Sequence, residues 1–168
     1  NAVVVEAPSF DAALGHPAPD RRHPMPSGVY HHHQRPVALL AQLGEDGVSH
    51  SPLIGFGFDG YPVYGPHAFA NTDGTGGVVR MRSSYQLRNI TVRQTLPDGT
   101  TLPAASYGPP VSATYPLGYY IEDFEYVAGL GDLDEHNGRF AVTPEYPSGT
   151  YAYHATIDAA GESAYPYA

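Results

Sequence analysis

A chain of 168 residues has the length of one domain and can bury roughly 70% of its unfolded surface around a single core. Its 17 acidic residues against 8 basic ones, all Arg, give a formal charge of -9, which argues against nucleic acid and anionic membrane as partners. The absence of Cys excludes disulfides and thiolate chemistry, so any metal site must use nitrogen and oxygen donors.

Gly 19 and Pro 17 argue for short strands, many turns and few helices. The 14 Tyr against 6 Phe predict interior polar networks, because a buried phenol needs a hydrogen-bond partner. The longest apolar run, Pro36 to Leu43, is less than half the ~20 residues a membrane helix needs. A chain starting at Asn1 fits either a removed export signal or further sequence upstream.

In chain order, residues 1–27 read as an N-terminal strand, from the apolar triplet Val3 to Val5, followed by an extended Pro- and His-bearing arm that includes His16 and His23. Residues 28–168 form the main unit, packed with the arm into one domain. Gly28 to His33 alternates as a strand does, and Pro36 followed by Val37 to Leu43 predicts one short helix stopped at Gly44. In Ser51 to Pro66, Ile54, Phe56 and Phe58 share a strand face and are expected in the core, with Gly55 and Gly57 allowing close backbone approach. A turn follows at Asp59-Gly60, then a Gly-rich loop from Asn71 to Gly77. Ser84 to Thr95 alternates again, and Pro97-Asp98-Gly99 predicts a hairpin turn. Arg139 to Val142 and Gly149 to Ile157 are further strands. The fold expected is mostly β, an irregular sandwich-like single domain with one short helix and long Pro/Gly-rich loops.

Tyr30-His31-His32-His33 is the sharpest chemical feature. Residues i and i+2 of a strand point the same way about 6 to 7 Å apart, so the imidazoles of His31 and His33 can reach one ion while His32 faces the other side. The competing reading is three incidental loop histidines. His154, between the small residues Ala152 and Thr156 on its strand face, is the third ligand candidate; a partly buried, hydrogen-bonded sheet histidine would look the same. His136, Asp59 and Asp123 are additional ligand candidates. Asp59 precedes Gly60 and reads equally as a turn residue. Asp123, followed by the aromatic Phe124 and two residues after Ile121, can be drawn inward. Asp132, Asp134 and Asn137 approximate the start of a calcium loop, but the third ligand is displaced and the later Glu is missing, which favours carboxylates capping backbone N–H groups. Asn89-Ile90-Thr91 fits an N-glycosylation acceptor. No G-x-S-x-G elbow and no Lys-bearing phosphate loop is present.

Three blocks, GVYHHHQRP, SPLIGFGFDGYPVYGP and GDLDEHNGRFAVTPEYPSGTYAYHAT, together resemble the YHYH protein domain over about Gly28 to Ile157. The chain departs from the motif in having His32 where a second Tyr is expected, yet keeps His31 and His33. His136 stands where the resemblance implies Cys. The resemblance implies a secreted, periplasmic or cell-surface protein and carries no reaction with it. With imidazole donors, Cu²⁺ or Zn²⁺ fits better than Mg²⁺ or Ca²⁺, copper being preferred. Three protein ligands would leave a position for water, so catalysis and storage both remain open. The rival reading is a metal-free extracellular structural module whose Tyr- and Pro-rich loops contact protein or glycan partners, with a homo-oligomer as a further expectation.

Overall fold

A computed structural model describes residues 1–18 and 28–167. Most of the expected extended arm, including His23, lies outside the described residues. The chain opens with a helical turn, α1 (Ala2–Val5), followed by a 3-10 turn at Ala7–Ser9. This corrects the strand expected for Val3 to Val5: three β-branched residues in a row favour a strand locally, but the backbone closes on itself, with the Val5 and Glu6 N–H groups bonding to Asn1 and Ala2 carbonyls. Strands β1 (Gly15–Pro17) and β2 (Tyr30–His32) form an antiparallel pair.

Helix α2 (Val37–Gln42) begins after Pro36 as expected. Its end is a Schellman cap: Gly44 takes φ 86°, its N–H donates to the Ala41 carbonyl, and the Glu45 N–H donates to that of Leu40. The helices therefore number two short ones among the described residues, not one.

The remaining strands are β3 (Leu53–Phe56), β4 (Pro62–Tyr64), β5 (His67–Phe69), β6 (Val78–Arg80), β7 (Tyr85–Leu87), β8 (Phe124–Tyr126), β9 (Gly138–Ala141) and β10 (Thr150–His154). One four-stranded sheet has the order β3-β4-β10-β9, with β4 and β10 parallel; β5/β6 and β7/β8 are separate antiparallel ribbons. The fold is β-rich, in small sheets rather than two large ones. The turn at Pro97-Asp98-Gly99 is present, with Thr95 bridging Thr101 and Gly99 at φ 86°.

The core is small and partly polar. Ala68, Met81 and Leu133 form its apolar cluster, while Tyr64, Ser84, Asp123 and Asn137 are also buried. The Tyr64 hydroxyl bonds to Thr143 and Glu145, and Ser84 Oγ donates to the Leu133 carbonyl, so the expected interior polar networks are realised.

The core expected from Ile54, Phe56 and Phe58 is corrected: Phe56 is 59% exposed and Phe58 fully so. A β-bulge between Leu53 and Gly55 breaks the alternation on which that reading rested, β3 lies at a sheet edge, and Phe58 falls in the turn beyond it. Gly55 borders open space, and a Cβ at Gly57 would meet side chains, at 2.6 Å from Asp59 and 3.3 Å from Tyr153. Close backbone approach occurs instead at Gly131, where a Cβ would sit 2.3 Å from the Ser83 carbonyl oxygen. Gly131→Ala is therefore expected to cost about 1 to 3 kcal/mol in denaturant unfolding, whereas Gly55→Ala should stay within about 0.5 kcal/mol. Equal stabilities for the two variants would contradict this packing.

Candidate metal centre

The β1/β2 pair brings together what the chain separates by 15 residues, since His16 lies directly across from His31 in the register. Alternation sorts the side chains onto two faces. On one, Tyr30 and His32 fold over Gly15, so that a Cβ there would have to displace the ends of both side chains. The Tyr30 hydroxyl donates to the Asp11 carboxylate, and this bond foremost holds Asp11 below the usual carboxylate range. His32 donates Nδ1–H to the Leu14 carbonyl.

On the other face His16, His31 and His33 converge, joined by Glu6 from the turn after α1, with one donor atom of each within 4.8 Å of all the others. The short separations run round a ring. Glu6 Oε2 lies 3.1 Å from His16 Nε2, His16 Nε2 lies 3.2 Å from His31 Nε2, His31 Nε2 lies 3.0 Å from His33 Nε2, and His33 Nε2 returns to Glu6 Oε2 at 3.1 Å. Phe10 walls the cluster, its ring edge-on to His16 at 5.1 Å.

The outer hydrogen bonds fix which nitrogens carry protons. His31 Nδ1 faces the Val29 carbonyl at 3.1 Å, and a carbonyl only accepts, so the proton of a neutral His31 sits on Nδ1. The Ser9 hydroxyl donates to the Glu6 carbonyl at 2.7 Å, which leaves its oxygen to accept from His16 Nδ1 at 2.8 Å. Both neutral rings thus turn bare Nε2 lone pairs toward each other and toward a carboxylate. Acceptors this close repel unless positive charge lies among them, either a metal ion or the Nε2–H of an imidazolium donating to Glu6. Outer-shell partners on the distal nitrogen are the usual way a metal-binding imidazole is oriented.

The structure brings His31 and His33 together but leaves the other sequence candidates elsewhere. His154 is corrected: it lies on β10, between β4 and β9, while β2 pairs only with β1 among the described residues. It is 1% exposed, donates Nδ1–H to the Gly65 carbonyl and stacks on Tyr64, filling the room its small neighbours leave with the protein's own atoms. His136 points outward, its side chain 71% exposed. Asp59 is a turn residue, bonded to the Tyr61 N–H and the Tyr153 hydroxyl. Asp123 is drawn inward as expected, but into an ion pair with Arg93. Asp132 pairs with Arg82, and Asp134 caps the His136 and Gly138 N–H groups, the capping alternative to a calcium loop. Asn89 is exposed.

Sequence reasoning missed Glu6 and His16. For His16 the available signal was a histidine in a strand-compatible Gly-His-Pro segment that could mirror Tyr30 to His32; Glu6 gave none.

Burial sets the pH response of His154. Removal from water, foremost, holds its pKa at about 3, so the folded state keeps it neutral. The unfolded chain protonates near 6.5, binds more protons in between, and gains as pH falls. Stability from this group is therefore complete above about pH 6.5 and lost progressively toward about pH 3, by about 1.4 kcal/mol per unit in the steepest range. Urea unfolding at pH 7 and pH 5 should show a decline that His154→Gln reduces; an unchanged decline would contradict the assignment.

The class defined here is a β-rich domain whose amino-terminal hairpin carries three converging imidazoles and one carboxylate that could hold a metal ion. The chain belongs to the YHYH protein family, whose model matches residues 1–163. That range includes the segment supplying Glu6 and His16. No curated protein and no solved structure matches the chain. No helix among the described residues is long and apolar enough to cross a membrane.

Proposed function

We propose that this is an exported metal-binding domain in which Glu6, His16, His31 and His33 hold one divalent transition ion, with copper favoured over zinc. The observation that carries the reading is the convergence of three imidazole Nε2 atoms and one carboxylate, with outer hydrogen bonds that place the proton of a neutral His16 or His31 on Nδ1 and leave Nε2 free to ligate. Three nitrogens and one oxygen suit Cu²⁺ or Zn²⁺. The preference for copper rests on shape. A tetrahedral zinc site makes all donor separations equal, at about 3.3 Å for Zn–N bonds near 2.05 Å. Here the four short separations form a ring with His16 opposite His33, and those opposite imidazoles are 5.3 Å apart against 4.6 and 4.7 Å for neighbours. A square donor set is what Cu²⁺ prefers.

The ion would join the amino-terminal turn, through Glu6, to the β1/β2 hairpin. Glu6→Gln removes the charge while keeping the shape, and should weaken copper affinity of tag-free protein about tenfold or more by competition with a chelator. Unchanged affinity would remove Glu6 from the site. Export rests on the family resemblance and on an acidic, Lys-free composition suited to remaining soluble outside the cell. Recovery of the native protein only from cytosolic fractions would overturn that part.

A further inference from the structure

A second site lies on the β7/β8 ribbon, away from the histidines. Tyr85, Phe124, Tyr126 and Tyr165 line a groove of about 420 Å³ whose wall also includes Asp98 and Glu122. The register makes Tyr85 and Tyr126 cross-strand neighbours and puts Phe124 two residues along on the same face. Tyr165 then stacks on Phe124, with centroids 3.9 Å apart, and meets Tyr85 edge-on at 5.3 Å.

The two carboxylates have no ion-pair partner among the described residues. Arg82 and Arg93 are engaged by Asp132 and Asp123. Arg88 directs its guanidinium to Thr95 and to the backbone carbonyl of Glu122, not to that residue's carboxylate. Asp98 accepts from Thr100, through its N–H and its side chain, and from no cation among the described residues. No cation among the described residues lines the groove, and the chain carries a net charge of -9. Aromatic rings present negative faces, so rings and carboxylates together form a site that attracts positive charge.

We propose that this groove binds a small organic cation of the alkylammonium class, held among the four rings and neutralised by Asp98 and Glu122. A neutral sugar could stack on the same rings, but it would leave both carboxylates uncompensated, and that charge decides between the two. Tyr165 lies beyond residues 1–163 matched by the family, so part of this wall is supplied by the chain's own carboxyl-terminal end.

The test compares choline with its neutral isostere 3,3-dimethylbutan-1-ol, following the aromatic side-chain NMR signals of the full chain. Choline should shift the signals of Tyr85, Phe124, Tyr126 and Tyr165 and bind at least about tenfold more tightly than the alcohol, with an affinity that falls as salt rises. Glu122→Gln, at an exposed position, should weaken choline about three- to tenfold, while Tyr126→Phe should retain it. Equal binding of the neutral alcohol, tighter binding of glucose or cellobiose, or no shift of these rings with choline would each overturn the proposal.

Discussion

Asp123→Ala is expected to destabilise the protein by about 3 to 5 kcal/mol, lowering the melting temperature by about 6 to 20 °C. Asp123 is fully buried and accepts Arg93 Nε–H at 2.6 Å and Nη2–H at 2.8 Å, together with the N–H groups of Gly118 and Tyr120. Arg93 continues outward to the carbonyls of Pro109 and Pro116, with its guanidinium carbon 4.8 Å from the centre of the Tyr120 ring. The pair therefore ties the Pro-rich passage from 103 to 116, which has few strand bonds, to the β7/β8 ribbon. Removing the carboxylate leaves a buried guanidinium without its counter-charge and the Gly118 and Tyr120 N–H groups without an acceptor, and that uncompensated charge sets the size of the effect. Burial alone would raise the Asp123 pKa; the bonds from Arg93 and the backbone outweigh it and hold the group below the usual range. Its contribution is thus present above about pH 4 and lost as pH falls through the lower folded value, below most of the His154 window. A loss under about 1 kcal/mol for Asp123→Ala would contradict this account.

His31→Ala/His33→Ala is expected to abolish high-affinity copper binding, because two of four donors leave and the two that remain sit on separate elements, His16 on β1 and Glu6 on the turn after α1. In the wild type, copper at a hundredfold excess over its dissociation constant should stabilise the fold by about 2.7 kcal/mol, a rise of about 5 to 11 °C; the double variant should show almost none. His32→Ala is the control, since His32 lies on the opposite face against Leu14 and its loss should leave the copper response intact. A response that survives in the double variant, or vanishes with His32→Ala, would contradict the site.

Local chemistry made much of this molecule legible. The Pro36-to-Gly44 helix, the turn at Pro97-Asp98-Gly99 and the inward Asp123 each follow from a residue whose backbone preference or polarity is settled by its immediate neighbours. The His31/His33 pair was readable because strand alternation is a local rule. What failed depended on distant contacts or on departures from that rule. Phe56 was misplaced because the bulge near Leu53 breaks the alternation on an edge strand, and Phe58 because the strand ends at Phe56 and the turn begins beyond it. His154 has the surroundings of a ligand along its own strand, and only the pairing of β10 with β4 shows that Tyr64 and Gly65 occupy the space beside it. Glu6 and His16 reach the site through a hairpin closed across residues 18 to 29 and through a helical turn that β-branched Val3 to Val5 disguise as a strand. The tautomers that would leave the Nε2 atoms of His16 and His31 free to ligate depend on Ser9 and the Val29 carbonyl, which no sequence pattern flags.

The most direct measurement is electron paramagnetic resonance, with pulsed detection of ligand nitrogen, on tag-free protein loaded with one equivalent of Cu²⁺. One tetragonal copper per chain with three imidazole nitrogens is expected, and that signal should be lost in His31→Ala/His33→Ala. Copper that binds without stoichiometry, or a signal with fewer than two imidazoles in the wild type, would contradict the proposed centre.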